Sequence, residues 1–380
     1  MADAAMRVVL LAGRLTASEA GRLRGLVDAL RCKDLTIEVV CVAGAASWDG
    51  APGVIEAPGL GSPWRRPWAV RRLASADGPG RPDLLHALGA EMDAAALALA
   101  ESWRVPYVQT VEEYIPVGGR LRLSRPWCRA LVATSVGLAD DLARSLSVPG
   151  NWIMIVPPGI AIPEHEPAPC ETGRVPVVGA SAPLVSGSGL VAFLGAARRI
   201  VDSGLEAEFV IAGEGPAEAD LRRVAERLGV VGRVTFATTP GDGSSFWRVL
   251  NVFCQPSRVP NTGRCLAMAL AHGVPAVVSD VDGLRCWLDG VKGGRLVPPG
   301  DPVALSRAIL DLLADPVGAR DLGRRGRERV ARDFAPDREA DRLADLYRRI
   351  MEAEPTRRPT SETGATPSQS PNVRVATRRS

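Results

Sequence analysis

The sequence predicts an α/β protein made of two Rossmann-like domains facing across a cleft. Three observations carry this. Short apolar runs alternate with helical periods of about 10–15 residues, the pattern of a parallel sheet covered on both faces. The alternation comes as two separate series, split by the proline-rich, aperiodic stretch PEHEPAPCETGRVP at residues 163–176. The length of 380 residues suits two domains, and 46% apolar residues can fill a core in each.

In the first series, Met6–Leu11 (MRVVLL) is an apolar run bounded by Gly13, as in a buried parallel strand. Thr16 or Ser18 can cap the next helix, where Ala20, Leu23, Leu26, Val27 and Leu30 recur at helical spacing. Leu35–Val42 is the second strand. Asp83–Ala87 leads to an Ala/Leu-rich helix over 91–102, and Val105–Val111 is another strand. Ala130–Thr134 leads to a helix over 136–146, and Trp152–Val156 closes the series. The segment GLGSPWRRPWAVRR at 59–72 breaks the pattern by interleaving two tryptophans with four arginines. Two readings stand: a cleft-side or surface-binding loop, or a helix start packed by Trp64 and Trp68 with solvated arginines.

The second series begins with the helix Gly189–Val201. The strand Ala207–Ala212 runs into Gly213-Glu214-Gly215-Pro216, where Pro216 suits a first helical position and 217–228 continues the helix. Val234–Thr238, Asn251–Gln255 and Pro275–Ser279 are further strands. Helices follow at 263–271, 302–313, 316–332 and 337–351. From residue 352 the apolar content is lost, so 352–380 reads as a disordered tail.

Composition narrows the function classes. A net charge of +3 makes no case for nucleic acid as a partner. Among 46 Lys and Arg residues only Lys33 and Lys292 are lysines, so a lysine-based phosphate site has almost no candidates. Seven cysteines without CxxC spacing argue for a reducing cytoplasm and against a metal centre. Cys32, Cys41 and Cys254 sit in or beside apolar runs, where a buried thiol is expected. No signal peptide and no transmembrane run appears, which leaves room for peripheral membrane contact. The first strand is not followed by GxGxxG, so a dinucleotide-dependent redox enzyme is disfavoured.

Several stretches together carry a family resemblance. DLLHALG at 83–89 is similar to a strand ending D-hydrophobic-hydrophobic-H-x-H, with Leu88 in place of the second histidine. VPYVQTVEE at 105–113 is similar to one ending T-x-H-[DE], with Glu112 in the histidine place. VPPGI at 156–160 resembles IPNGVD, with Ala161 replacing the aspartate. VIAGEGP at 210–216, Pro256-Ser257, Gly263, AMALAHGVP at 267–275, Gly283 and GRLVPPGDP at 294–302 supply the rest of the frame. In order and spacing the chain resembles family 4 glycosyltransferases of the GT-B fold over nearly all of residues 6–351.

The resemblance implies an N-terminal acceptor-side domain at 1–162, a hinge at 163–176, a nucleotide-sugar domain at 177–335, and a helix at 336–351 crossing back. It implies a retaining, hexosyl-type transfer from a nucleotide diphosphate sugar, used as co-substrate without cofactor or metal. The acceptor, whether small molecule, lipid-linked or glycan, stays undefined. The family's phosphate-binding lysine falls at Ser188, and its arginine near Pro183. Its two donor-contacting acids fall at Pro260 and Met268, and a further glutamate at Cys286. The alternative is a catalytically inactive GT-B protein acting as a binding or scaffold module.

The remaining donor-binding candidates are Gly213 and Gly215, for close backbone approach, with Ser257, Arg258, Gly263, Arg264, Gly283 and Arg285. Arg258, Arg264 and Arg285 either replace the missing clamp or are solvated or paired with Asp280, Asp282 or Asp289. Glu112 is the first-domain catalytic candidate, with a loop-surface role as the other reading. Glu113 and Asp140 are the other acids considered there. His272 at a helix end is expected to be packed or solvated rather than a base.

Overall fold

The computed structural model describes residues 5–45, 53–75, 80–115, 120–146, 148–164, 174–238, 244–288, 293–353 and 373–374. Most of the expected hinge and tail therefore lies outside the described residues. The chain forms two compact units, one running to Gly159 and resuming at Pro336, the other Ile160–Ala335.

In the first unit up to Gly159, the described residues form eight strands in chain order: β1 Met6–Arg14, β2 Leu35–Ala43, β3 Val54–Glu56, β4 Leu84–Leu88, β5 Tyr107–Val111, β6 Arg120–Leu121, β7 Cys128–Ala133 and β8 Ile153–Ile155. Seven make one parallel sheet, ordered β3-β2-β1-β4-β5-β7-β8. Its helices are α1 Ala17–Arg31, α2 Arg66–Leu73, α3 Asp93–Trp103 and α4 Val136–Leu146. Side chains alternate across a strand, so β1 feeds two cores. Val9 and Leu11 pack under α2, α3 and α4. Val8 and Leu10 pack under α1 and a returning helix.

Thr16, not Ser18, caps α1, because Glu19 stands three residues on. The Thr16 N–H donates to Glu19 Oε2 at 2.9 Å and the Glu19 N–H to Thr16 Oγ1 at 3.3 Å. Cys41 and Cys254 are buried as expected, but Cys32 is exposed, since it lies at the C-cap of α1 beyond the buried stripe.

In the second unit, β9 Val177–Ser181, β10 Glu208–Ala212, β11 Val234–Ala237, β12 Val252–Gln255, β13 Ala276–Ser279 and β14 Gly294–Val297 form a parallel sheet ordered β11-β10-β9-β12-β13-β14. The helices are α5 Leu190–Asp202, α6 Glu218–Arg227, α7 Ser244–Val249, α8 Arg264–Ala271, α9 Arg285–Leu288, α10 Pro302–Ala314 and α11 Pro316–Asp333. Helices α5, α6 and α10 cover one face, and α7, α8 and α9 the other. Two parallel sheets with helices on both faces make each unit Rossmann-like. Pro216 is not at the first helical position: it lies in the turn before Ala217, which is the N-cap of α6.

The last helix, α12 Pro336–Glu352, belongs to the first unit. Ala340, Leu343, Ala344, Leu346 and Tyr347 complete the core under α1. Its docking is fixed by polar contacts. His86, fully buried on β4, hydrogen-bonds through Nδ1 to Tyr347 Oη at 2.6 Å and through Nε2 to Thr110 Oγ1 at 2.7 Å. Burial pushes the His86 imidazole down to about 3, so it is neutral here. Val373–Arg374 (β15) pairs antiparallel with Arg120–Leu121.

Candidate functional site

Parallel α/β sheets gather loops at the carboxyl ends of their strands, where ligands bind. In the second unit that edge is made by Ser181, Ala212, Gln255 and Ser279, the last residues of β9, β10, β12 and β13. Ser181, Gln255, Ser257 and Ser279 are all buried. A polar chain sets up the start of α8. Gln255 Nε2 donates to Asn261 Oδ1 at 3.0 Å, and that oxygen also takes the Gly263 N–H at 2.8 Å. Gln255 Oε1 is buried with no partner among the described residues.

Gly263 has φ +79°, and a Cβ there would lie 2.4 Å from Trp287 Nε1, which donates to Thr262 O at 2.8 Å. Only glycine fits this turn. The Gly263 N–H is used by Asn261. The next three, on Arg264, Cys265 and Leu266, have no intrahelical acceptor and are the anion-ready groups. The Arg264 side chain is half-buried and makes no ion pair among the described residues.

The other candidates are placed differently. Arg285 is committed to Asp280, with Nε at 2.8 Å and Nη2 at 2.6 Å from Oδ1. Arg258 is exposed, and its guanidinium stem lies against Gly300. It borders a cavity of about 680 Å³ with Ser186, Gly187, Ser188, Gly189 and Asp220; neither Arg264 nor Arg285 lines this space. Gly283, φ +86°, turns the chain into α9, and its carbonyl accepts from Cys286 Sγ at 3.0 Å. At Gly213 and Gly215 the approaching backbone is the chain's own. A Cβ would lie 2.0 Å from Ala182 O and 2.4 Å from Leu184 O respectively. The Leu184 N–H donates to Glu214 O at 2.9 Å, fastening the loop before α5 to this turn.

In the first unit, Glu112 follows β5. Its Oε1 accepts from Arg22 Nη2 at 2.8 Å, and Arg22 Nη1 lies 3.9 Å from Glu339 Oε1. Burial alone would lower the Arg22 guanidinium, but Glu112 and Glu339 outweigh it and hold it above its ordinary value. Glu339 is nearly buried and is pushed up by burial, offset in part by Arg22 and by the Gly159 N–H, which donates to Oε2 at 2.6 Å.

A further acid here was not singled out from the sequence. The Glu91 carboxylate sits over Gly13 and Gly89, where a Cβ would come within 2.6 and 2.5 Å of its oxygens. Burial, with Glu112, Glu113 and Glu19 nearby, raises it above the ordinary carboxylate range. The sequence offered only a glycine, Gly89, two residues before it, whose positive φ the structure shows. His272 is packed, stacked on Trp247 at 6.3 Å between ring centroids. Burial, then Arg327 and Arg248, hold it down to about 4.

Known proteins agree with this frame. Residues 175–315 match the glycosyl transferases group 1 family, and residues 22–162 match glycosyltransferase family 4. A D-inositol 3-phosphate glycosyltransferase of Salinispora tropica is 27% identical over 319 residues, covering 73% of this chain and 66% of that protein. A 2-deoxystreptamine glucosyltransferase of Streptomyces kanamyceticus is 26% identical over 226 residues, covering 56% of this chain and 58% of that protein. The chain thus spans less than two thirds of either relative.

Among solved structures, sucrose-phosphate synthase from Thermosynechococcus elongatus superposes with TM-score 0.71 at 19% identity, over 92% of this chain and all of that one. Anabaena HepE in complex with UDP-glucose gives 0.72 at 16%, over 90% of this chain and all of that one. At those identities the likeness speaks for the fold alone. Two matched segments, 22–162 and 175–315, on two Rossmann-like units make this chain a homologue of the family 4 and group 1 glycosyltransferases, with a GT-B fold.

Proposed function

We propose that the chain is a glycosyltransferase that moves a hexosyl group from a nucleotide diphosphate sugar to an acceptor with retention, and that the second unit holds the donor. The homology supports the class. The observation that carries the reading is the start of α8, where three backbone N–H groups without an intrahelical acceptor, the left-handed Gly263 and an Arg264 with no ion pair among the described residues coincide at the carboxyl edge of the sheet. A departing diphosphate needs donors where its charge develops. The helix dipole and the Arg264 fork supply them. With Pro260, Met268 and Cys286 in the places of the family's acids, and Ser188 in that of its lysine, this reading leans on backbone amides and one arginine. Arg285 contributes little, since Asp280 already neutralises it.

Arg264→Ala should weaken nucleoside diphosphate binding by about 1.5–3 kcal/mol, the worth of a charge-assisted hydrogen bond, and leave nucleoside binding nearly unchanged. Arg264→Lys should restore only part of it, because the fork is lost. Calorimetry on the three proteins decides the matter. Wild-type diphosphate affinity in Arg264→Ala would place Arg264 outside the site and favour a non-catalytic GT-B binding module.

A further inference from the structure

Trp64 and Trp68 are 90% and 77% exposed, and no other large hydrophobic among the described residues is as open. Of the two readings of this segment, the one in which they pack the start of α2 does not hold. The turn from Ser62 already winds helically, with the Arg65 and Arg66 N–H groups donating to Ser62 O at 3.2 and 2.9 Å. Helical spacing therefore puts residues 64, 68, 71 and 72 on one stripe. The opposite stripe, Val70 and Leu73 with Leu60 of the preceding turn, is buried in the first unit's core. This part of the chain has a complete apolar seat already, so its tryptophans are not needed for folding.

The charge on the outward stripe is of one sign. Arg65, Arg71 and Arg72 are exposed and pair with no carboxylate among the described residues, and residues 59–75 contain no acid. Arg66 is different: it is half-buried, and its Nε donates to Leu60 O at 3.1 Å. The patch therefore presents two indole rings flanked by three solvated guanidinium groups. Indoles settle at the boundary between lipid headgroups and acyl chains, and arginines beside them are drawn to anionic headgroups.

We propose that the outward face of Trp64–Arg72 docks the protein on an anionic lipid bilayer. Trp64 and Trp68 enter the headgroup layer, and Arg65, Arg71 and Arg72 meet the phosphates. Charge complementarity selects this occupant: a neutral apolar partner would gain nothing from three unpaired cations. The inference does not rest on the donor reading above.

Co-sedimentation of the full chain with vesicles tests it. The protein should pellet with phosphatidylcholine vesicles that carry phosphatidylglycerol, and not with phosphatidylcholine alone. Raising salt to roughly 0.5 M should release it, because the attraction is screened. Trp64→Ser with Trp68→Ser should weaken vesicle binding about ten-fold or more, as should Arg65→Gln with Arg71→Gln and Arg72→Gln. Both sets should leave the urea midpoint unchanged, since the side chains are exposed. Val317→Ser, which removes another open side chain, 70% exposed, should bind as wild type. Failure to pellet with anionic vesicles overturns the proposal, and so does wild-type vesicle binding by both variant sets. Capture by a soluble sulfated glycan without vesicle binding would assign the patch to a carbohydrate polyanion instead.

Discussion

Gly189→Ala should destabilise the second unit by about 3 kcal/mol or more. Gly189 is the N-cap of α5 with φ +79°, where an alanine costs roughly 1–2 kcal/mol in backbone strain. Its Cβ would also lie 1.6 Å from Pro256 O and 2.4 Å from Pro256 C, so the loop leaving β12 must move. Such overpacking adds about 1–3 kcal/mol. Gly204→Ala is the matched comparison: φ is +82°, but nothing lies within 4 Å, so only the strain remains. Urea unfolding of both variants should show the Gly189→Ala loss clearly exceeding the Gly204→Ala loss. Equal losses would mean that the loops at 185–189 and 256–258 are not held against each other. The contact bears on the proposed donor site, because 256–258 includes Arg258 and leads toward α8.

Arg22→Ala should cost about 3 kcal/mol in the first unit, because it strips a nearly buried carboxylate, Glu339, of its cation. The pH dependence identifies the cause. Glu339 is held above its ordinary value of 4.5 even with Arg22 present. A carboxyl with a raised folded value favours the protonated folded state, so its stability contribution is present at low pH and lost as pH rises from about 4.5 through the folded value. Removing Arg22 raises that value further. The deficit should therefore be largest near neutrality and shrink on mild acidification. A deficit independent of pH would reduce Arg22 to packing. The same variant frees Glu112, the first-unit candidate, from its 2.8 Å partner.

Apolar runs made most strands of both sheets legible, as with β1 and β2, which are buried on two faces and carry no competing pattern. The missed strands of the two sheets are two edge strands and one central strand, β9 Val177–Ser181, which pairs on both sides but starts directly after the proline-rich stretch 163–176. Val54–Glu56 pairs on one side only, and Gly294–Val297 is half exposed and merges into a proline-glycine turn. The site divides in the same way. Glycine positions were readable as special, but not what approaches them. At Gly213 and Gly215 it is the 182–184 backbone, a partner distant in sequence. For Arg285 the sequence offered several acids; geometry pairs it with Asp280, while Asp289 lies outside the described residues. Glu91 was hidden because its surroundings, Gly13 and Gly89, meet only once β1 and β4 pair. Trp64 and Trp68 stayed between a packed and a surface-binding reading, since spacing alone does not say which stripe of a short helix is seated.

The central claim is that the second unit is a nucleotide diphosphate site. Titrating the wild-type chain with UDP, GDP and ADP by calorimetry tests it most directly. The account predicts that at least one of them binds with a dissociation constant of about 0.1 mM or tighter, and that its nucleoside binds much more weakly. No binding by any of the three at about millimolar concentration would contradict it.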